Sequence, residues 1–148
     1  MLTDEVIQLY KRFRLLNYRE MFGRIREKDG SLSATEAFAA DVIYLLEKPT
    51  ITQLAETLGI SQPNATYKIN SLIAKGYVEK IPSADDKREF RLRVSDRFHT
   101  YFANSVDFLD RIDIRLQETL TPEEYQKVAD ILAEFADDIP MESNQQKE

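Results

Sequence analysis

The 148-residue sequence contains no cysteine, a single histidine, and only four glycines and five prolines. Without cysteine, a disulfide framework, a thiolate zinc site and a thiol redox switch are excluded. One histidine and no thiol suggest neither a thiol–histidine pair nor a Ser-His-Asp triad, and no glycine-rich phosphate loop occurs, so no enzymatic role and no cofactor are expected. The scarcity of helix breakers predicts long helices. The longest apolar stretch, Ala37 to Leu46, is interrupted by Asp41 and is far too short to span a bilayer. The first residues, Met1 to Val6, lack the basic-then-apolar pattern of a signal peptide. A soluble, cytoplasmic chain with no membrane partner is the expectation.

What is present is charge, unevenly spread. The net charge is −6. Residues 1–47 contribute −1, residues 48–93 contribute +3, and residues 94–148 contribute −8. Exposed charges act over roughly 8 Å at physiological salt. A basic middle third is therefore able to meet phosphates while the remainder stays acidic, which lowers non-specific affinity.

Residues 3–27 carry Val6, Leu9, Tyr10, Phe13, Leu16, Asn17, Met21 and Ile25 at helical spacing, and Lys28-Asp29-Gly30 ends that helix. Ser33-Ala34-Thr35-Glu36 is a capping box that opens a second helix to about Glu47, before Pro49. Thr50-Ile51-Thr52-Gln53 opens a short third helix ending at Gly59. Ser61 caps a fourth, with Pro63 in its first turn, running to about Lys75 and Gly76. Tyr77–Ile81 and Phe90–Val94 read as a β-hairpin around a turn at 82–86. Ser95 is expected to cap a fifth helix with the stripe Phe98, Phe102, Val106, Leu109, Ile112, Leu116 and Leu120. Thr121-Pro122-Glu123-Glu124 opens a sixth with Tyr125, Val128, Leu132, Phe135 and Ile139. The fold class is mainly α with a small β-hairpin. Residues after Pro140 are polar and expected to fray.

The segment Thr52 to Val78 fits a helix-turn-helix. Leu58-Gly59-Ile60-Ser61 joins two short helices, and Ala55 is small where they must approach. In the second helix Ala65, Ile69, Leu72 and Ile73 fall within one arc at about 100° per residue. The opposite arc holds Pro63, Asn64, Tyr67, Asn70, Ser71 and Ala74, polar and nearly uncharged, flanked by Lys68 and Lys75. Amides and hydroxyls on such a face suit base edges in a major groove, and the cations suit phosphates. A helical pair with a merely solvated polar face fits the same residues. The adjoining hairpin gathers Lys80, Lys87, Arg88, Arg91 and Arg93, as a wing entering a minor groove would, although a charge-solubilised hairpin offset by Asp85, Asp86 and Glu89 has the same composition.

Several pieces, in order along the chain, resemble the MarR family. Leu32-Ser33-Ala34-Thr35-Glu36 resembles the start of that family's second helix. Thr52-Gln53-Leu54-Ala55-Glu56 with Ile60-Ser61-Gln62-Pro63 is similar to its helix-turn-helix. Lys75-Gly76-Tyr77-Val78-Glu79-Lys80 resembles the junction to its wing, Asp86-Lys87-Arg88 its wing motif, and Leu120-Thr121-Pro122-Glu123-Glu124 the entry to its last helix. The resemblance implies a symmetric dimer with one winged-helix DNA-binding lobe per subunit, a palindromic operator and often a small-molecule effector. It further implies Arg88 as a minor-groove contact oriented by the Asp86 carboxylate. The sequence departs from the family at Tyr67, where Arg is common, and at Ala65, where Val is common. Bidentate guanine reading is lost at Tyr67.

Together these readings give a DNA-binding transcription regulator, expected to be a repressor, with Ser61, Gln62, Pro63, Asn64, Thr66, Tyr67, Lys68, Asn70, Ser71, Lys75, Asp86, Lys87 and Arg88 at double-stranded DNA. Residues 31–95 form the expected winged-helix lobe. Residues 1–30 and 96–139 form the expected dimerisation region, because a helix of ~25 residues is ~37 Å long and its stripe outruns a small lobe. An effector wedged between the terminal helices and the lobe would meet Tyr10, Tyr18, Phe22 or Tyr44, all of which also suit a core. His99 with Asp96 and Glu123 lacks metal-ligand spacing, so no metal is expected. The competing class is a winged helix that binds protein, which should expose apolar residues at 63, 64, 67 and 71; only Pro63 and Tyr67 qualify.

Overall fold

The computed structural model describes residues 1–25, 32–84 and 88–140. The expected frayed tail, the helix stop at Lys28-Asp29-Gly30, and Asp86 with Lys87 lie outside the described residues, as do the side chains of Phe102 and Val106. The element order is α1 (Leu2–Ile25), α2 (Ala34–Leu45), α3 (Ile51–Leu58), α4 (Gln62–Ala74), β1 (Val78–Pro82), β2 (Phe90–Val94), α5 (Asp96–Thr119) and α6 (Pro122–Asp138). Among the described residues this is the mainly helical fold with one antiparallel hairpin that the sequence predicts. The chain divides into two compact units, Met1–Ser105 and Val106–Glu148.

In the first unit, α2 is the central rod. Ser33 and Glu36 close both halves of the capping box. Ala37, Ala39, Ala40 and Ile43 are buried. Small residues on more than one side let neighbouring elements approach, as expected for a helix apolar around most of its circumference. Met21 of α1, Leu54 of α3, Ile69 and Leu72 of α4, Val78 and Leu92 of the hairpin, and Phe98 of α5 join it in one core. Full burial of each larger side chain contributes about 1.5–3 kcal/mol. Of the stripe predicted for α1, only Met21 is buried; Val6, Leu9 and Tyr10 stand exposed.

The helix-turn-helix forms from local signals. Thr50 and Gln53 make the second capping box, and Gly59 ends α3 at φ 65°, a left-handed conformation that costs glycine little. The Ser61 hydroxyl accepts from the Asn64 N–H at 3.3 Å. The hairpin pairs Val78 with Val94 and Lys80 with Leu92. The Leu92 N–H donates to the Pro49 carbonyl at 2.9 Å, so the α2–α3 loop acts as a third backbone edge beside β2. Leu92 is buried in β2, whereas Phe90 stands outside the core. It is half exposed at the strand end, beneath the Lys80 ammonium at 5.9 Å from its ring centroid. Ser95 stands directly before α5, and its carbonyl accepts from the His99 N–H at 3.3 Å. Its hydroxyl donates to the Gly76 carbonyl at 2.5 Å, tying the start of α5 to the end of α4.

In the second unit, Thr121 and Glu124 form the third capping box, with Pro122 in the first turn of α6. The Tyr125 hydroxyl donates to Asp113 Oδ1 at 2.5 Å and joins α6 to α5. That hydrogen bond to a carboxylate raises the Tyr125 pKa. Nothing in α6 is buried.

Candidate nucleic-acid interface

Helix α4 divides its circumference as the periodicity predicts. Ala65, Ile69 and Leu72 are buried, while Pro63, Asn64, Tyr67, Asn70 and Ala74 stand exposed on the other side. Tyr67 is 75% exposed and is the largest group on that side. A band of two amides, one phenol and two small apolar groups is chemically suited to donor and acceptor patterns on base edges.

The remaining predicted residues separate into groups. Ser61 is occupied as the helix cap. The Gln62 side-chain amide donates to Thr52 Oγ1 at 2.6 Å and ties the starts of the two helices together. Thr66 and Lys68 are half-buried, and the Lys68 ammonium lies 3.4 Å from Thr35 Oγ1. Ser71 and Lys75 face α2 and not the exposed band. The Ser71 hydroxyl donates to Glu36 Oε1 at 2.6 Å, and the Lys75 ammonium meets Glu36 Oε2 at 2.7 Å. Partial burial opposes ionisation of Glu36. The bonds from Lys75, Ser71 and the Ser33 N–H outweigh it and hold its pKa below the ordinary glutamate value.

The basic cluster read in the hairpin is largely absorbed by the fold. Arg93 pairs with Glu79 at 2.9 Å, Arg91 donates to the Lys48 carbonyl at 3.1 Å, and Lys80 lies over Phe90. Arg88 is exposed in the turn before β2, at the tip of the described hairpin. Sequence reading missed Glu36 as more than a cap, and it missed Arg97. The Arg97 guanidinium donates to the Lys75 carbonyl at 2.6 Å and covers the Tyr77 ring at 4.7 Å, capping the C-terminal end of α4. A cation following a helix end was the available signal.

The four aromatic effector candidates form two groups. Tyr18 stacks on Phe22 with centroids 6.3 Å apart, and the Arg14 guanidinium lies over both the Tyr10 and Tyr18 rings, at 5.3 and 5.8 Å. Tyr44 instead packs on Phe98 at 5.4 Å and meets His99 edge-on at 5.9 Å. Among the described residues, no three His, Asp or Glu side chains gather as a metal-holding group. Nor is any described helix long and apolar enough to cross a membrane.

The model of the MarR family matches residues 31–89. No curated protein sequence matches the chain significantly. Among solved structures, the transcriptional regulator Tm0710 from Thermotoga maritima is 17% identical with a TM-score of 0.55, covering 90% of this chain and 93% of its own. FabT from Streptococcus pneumoniae, solved in complex with DNA, is 19% identical at a TM-score of 0.53, covering 93% and 96%. A mutant of MarR from E. coli, solved with operator DNA, is 19% identical at 0.51, covering 91% and 98%. The chain has the winged-helix fold of MarR-family transcription regulators.

Proposed function

We propose that the chain is a MarR-family regulator, homodimeric and specific for a double-stranded DNA sequence, acting as a repressor on a palindromic operator; the family model over residues 31–89 supports this reading. Helix α4 enters the major groove, and the hairpin tip reaches the minor groove. The observation that carries this reading is the exposed polar band of α4, with Asn64, Tyr67 and Asn70 facing out and Ala65, Ile69 and Leu72 sealing the other side. Asn64 and Asn70 offer paired donor and acceptor groups that match adenine. Tyr67 offers a hydroxyl to phosphate and a ring to a thymine methyl. Lys68 and Arg88 supply charge beside the band. The DNA complexes of FabT and of the MarR mutant support the reading through the shared fold.

Dimerisation completes the geometry. Leu132 and Phe135 of α6 are 58% and 59% exposed, and Leu2, Val6, Leu9 and Leu15 of α1 are similarly open. Covering such surface with a second copy would present two α4 helices, and half-sites ~34 Å apart match successive turns of the same groove face. Relief by a small-molecule effector belongs to the same proposal, with the Tyr10, Tyr18 and Phe22 group or Tyr44 as contacts. It fails if no phenol, antibiotic or acyl compound changes operator affinity.

Selection from random duplex DNA tests the whole. The expected product is an inverted repeat. Arg88→Ala should weaken its binding by about 1–3 kcal/mol. Tyr67→Ala should alter base preference, whereas Lys68→Ala should weaken all sequences alike and lower the salt slope by about one. Recovery of no preferred sequence, or identical preferences in the wild type and the Tyr67 variant, would overturn the assignment.

A further inference from the structure

Glu36 is placed to do more than cap a helix. Capping of α2 requires only the bond from the Ser33 N–H to Oε2, at 3.0 Å. The carboxylate also takes the Ser71 hydroxyl on Oε1 and the Lys75 ammonium on Oε2, and its side chain is only 12% exposed. Ser71 and the C-cap residue Lys75 stand one turn apart, so a single carboxylate grips the last turn of α4 and its cap. The apolar contacts of Ala65, Ile69 and Leu72 set how deeply α4 sits, but they are non-directional and resist rotation of the helix weakly. Hydrogen bonds to a fixed carboxylate are directional and oppose rotation and sliding. The angular position of α4 decides where Asn64, Tyr67 and Asn70 point.

We propose that Glu36 is a positioning residue that sets the rotation of α4, with Lys75 acting as its counter-ion and not as a ligand of DNA phosphate. The second half of this assignment rests on the DNA-binding reading, while the first half is independent of it. Lys75 then contributes to operator affinity through Glu36, and its charge is already matched within the protein.

The test uses full-length Glu36→Gln, Lys75→Met and the double variant. Glutamine preserves the shape and leaves an acceptor for the Ser33 N–H, so α2 keeps its cap. Binding to the selected operator and to random duplex is measured over a range of salt. Each single variant should lose roughly tenfold in operator affinity, with random-duplex binding nearly unchanged, and the double variant should lose no more than either single. Loss of fold stability alone would not move that ratio. Lys75→Met should leave the salt slope unchanged; a fall of about one would make Lys75 a phosphate ligand and overturn the counter-ion assignment. Amide hydrogen exchange over residues 70–75 of the free protein supplies a readout without DNA. It should quicken equally in all three variants. Unchanged exchange, or additive effects of the two substitutions, would overturn the clamp. A wild-type protein that selects no DNA would defeat the functional reading, and the exchange data would still decide the clamp.

Discussion

The lobe around α2 and the helix α6 solve the same problem of apolar burial in opposite ways. Every buried hydrophobic side chain among the described residues lies between Met21 and Phe98. Helix α6 buries none, yet it is well capped and carries a sequence stripe as regular as that of any helix in the lobe. A capping box and periodicity make a helix; they do not provide something for it to pack against. The lobe finds its partners within its own chain. Ile131, Leu132, Phe135 and Ile139 of α6 stand exposed, a surface that the proposed second copy would cover. The difference teaches that capping and periodicity build helices in both regions alike, while the buried core lies in the lobe; a second copy is the cover proposed for α6.

The largest expected effect breaks this comparison directly. Leu132→Asp with Phe135→Asp should convert the dimer to monomer in sedimentation and reduce operator affinity by at least ~100-fold, because charges resist transfer into an apolar contact. Amide protection within residues 32–98 should survive. Its loss would mean that the lobe depends on the dimer. Next in size is a contrast between two leucines of the lobe. Leu54→Ala should cost about 2–5 kcal/mol in denaturant unfolding, whereas Leu45→Ala, at an exposed position, should stay within about 0.5 kcal/mol. Equal costs would show that burial does not rank the sites.

The smallest effect concerns acid. The Glu36 pKa is lowered in the fold, so its contribution is present above the unfolded value and is lost as pH falls through the lowered folded value. Lys75→Met removes one cause of that lowering. The variant should be less stable at neutral pH by roughly 0.5–1 kcal/mol, because the ammonium is partly solvated, and its stability should decline less steeply as pH falls through the glutamate range. Parallel pH profiles for variant and wild type would remove Lys75 as the cause.

Helix starts at Ser33, Thr50, Ser61 and Thr121, the left-handed stop at Gly59 and the division of α4 into a buried and an exposed side were all legible in the residues themselves. Each depends on groups within a few positions of one another, where the periodicity of the backbone fixes who meets whom. The sorting of charges was not legible. Lys75 read along the chain as a cation for phosphate, and Lys80, Arg88, Arg91 and Arg93 read alike as cations of a wing at a minor groove. Tertiary structure alone joined Lys75 and Ser71 to Glu36, 39 and 35 residues away, and Arg91 to the carbonyl of Lys48, 43 residues away. A lysine or arginine can meet a carboxylate, a carbonyl, an aromatic face or a phosphate. The packing of α2 against α4 and of the hairpin against the α2–α3 loop decided which partner came within reach.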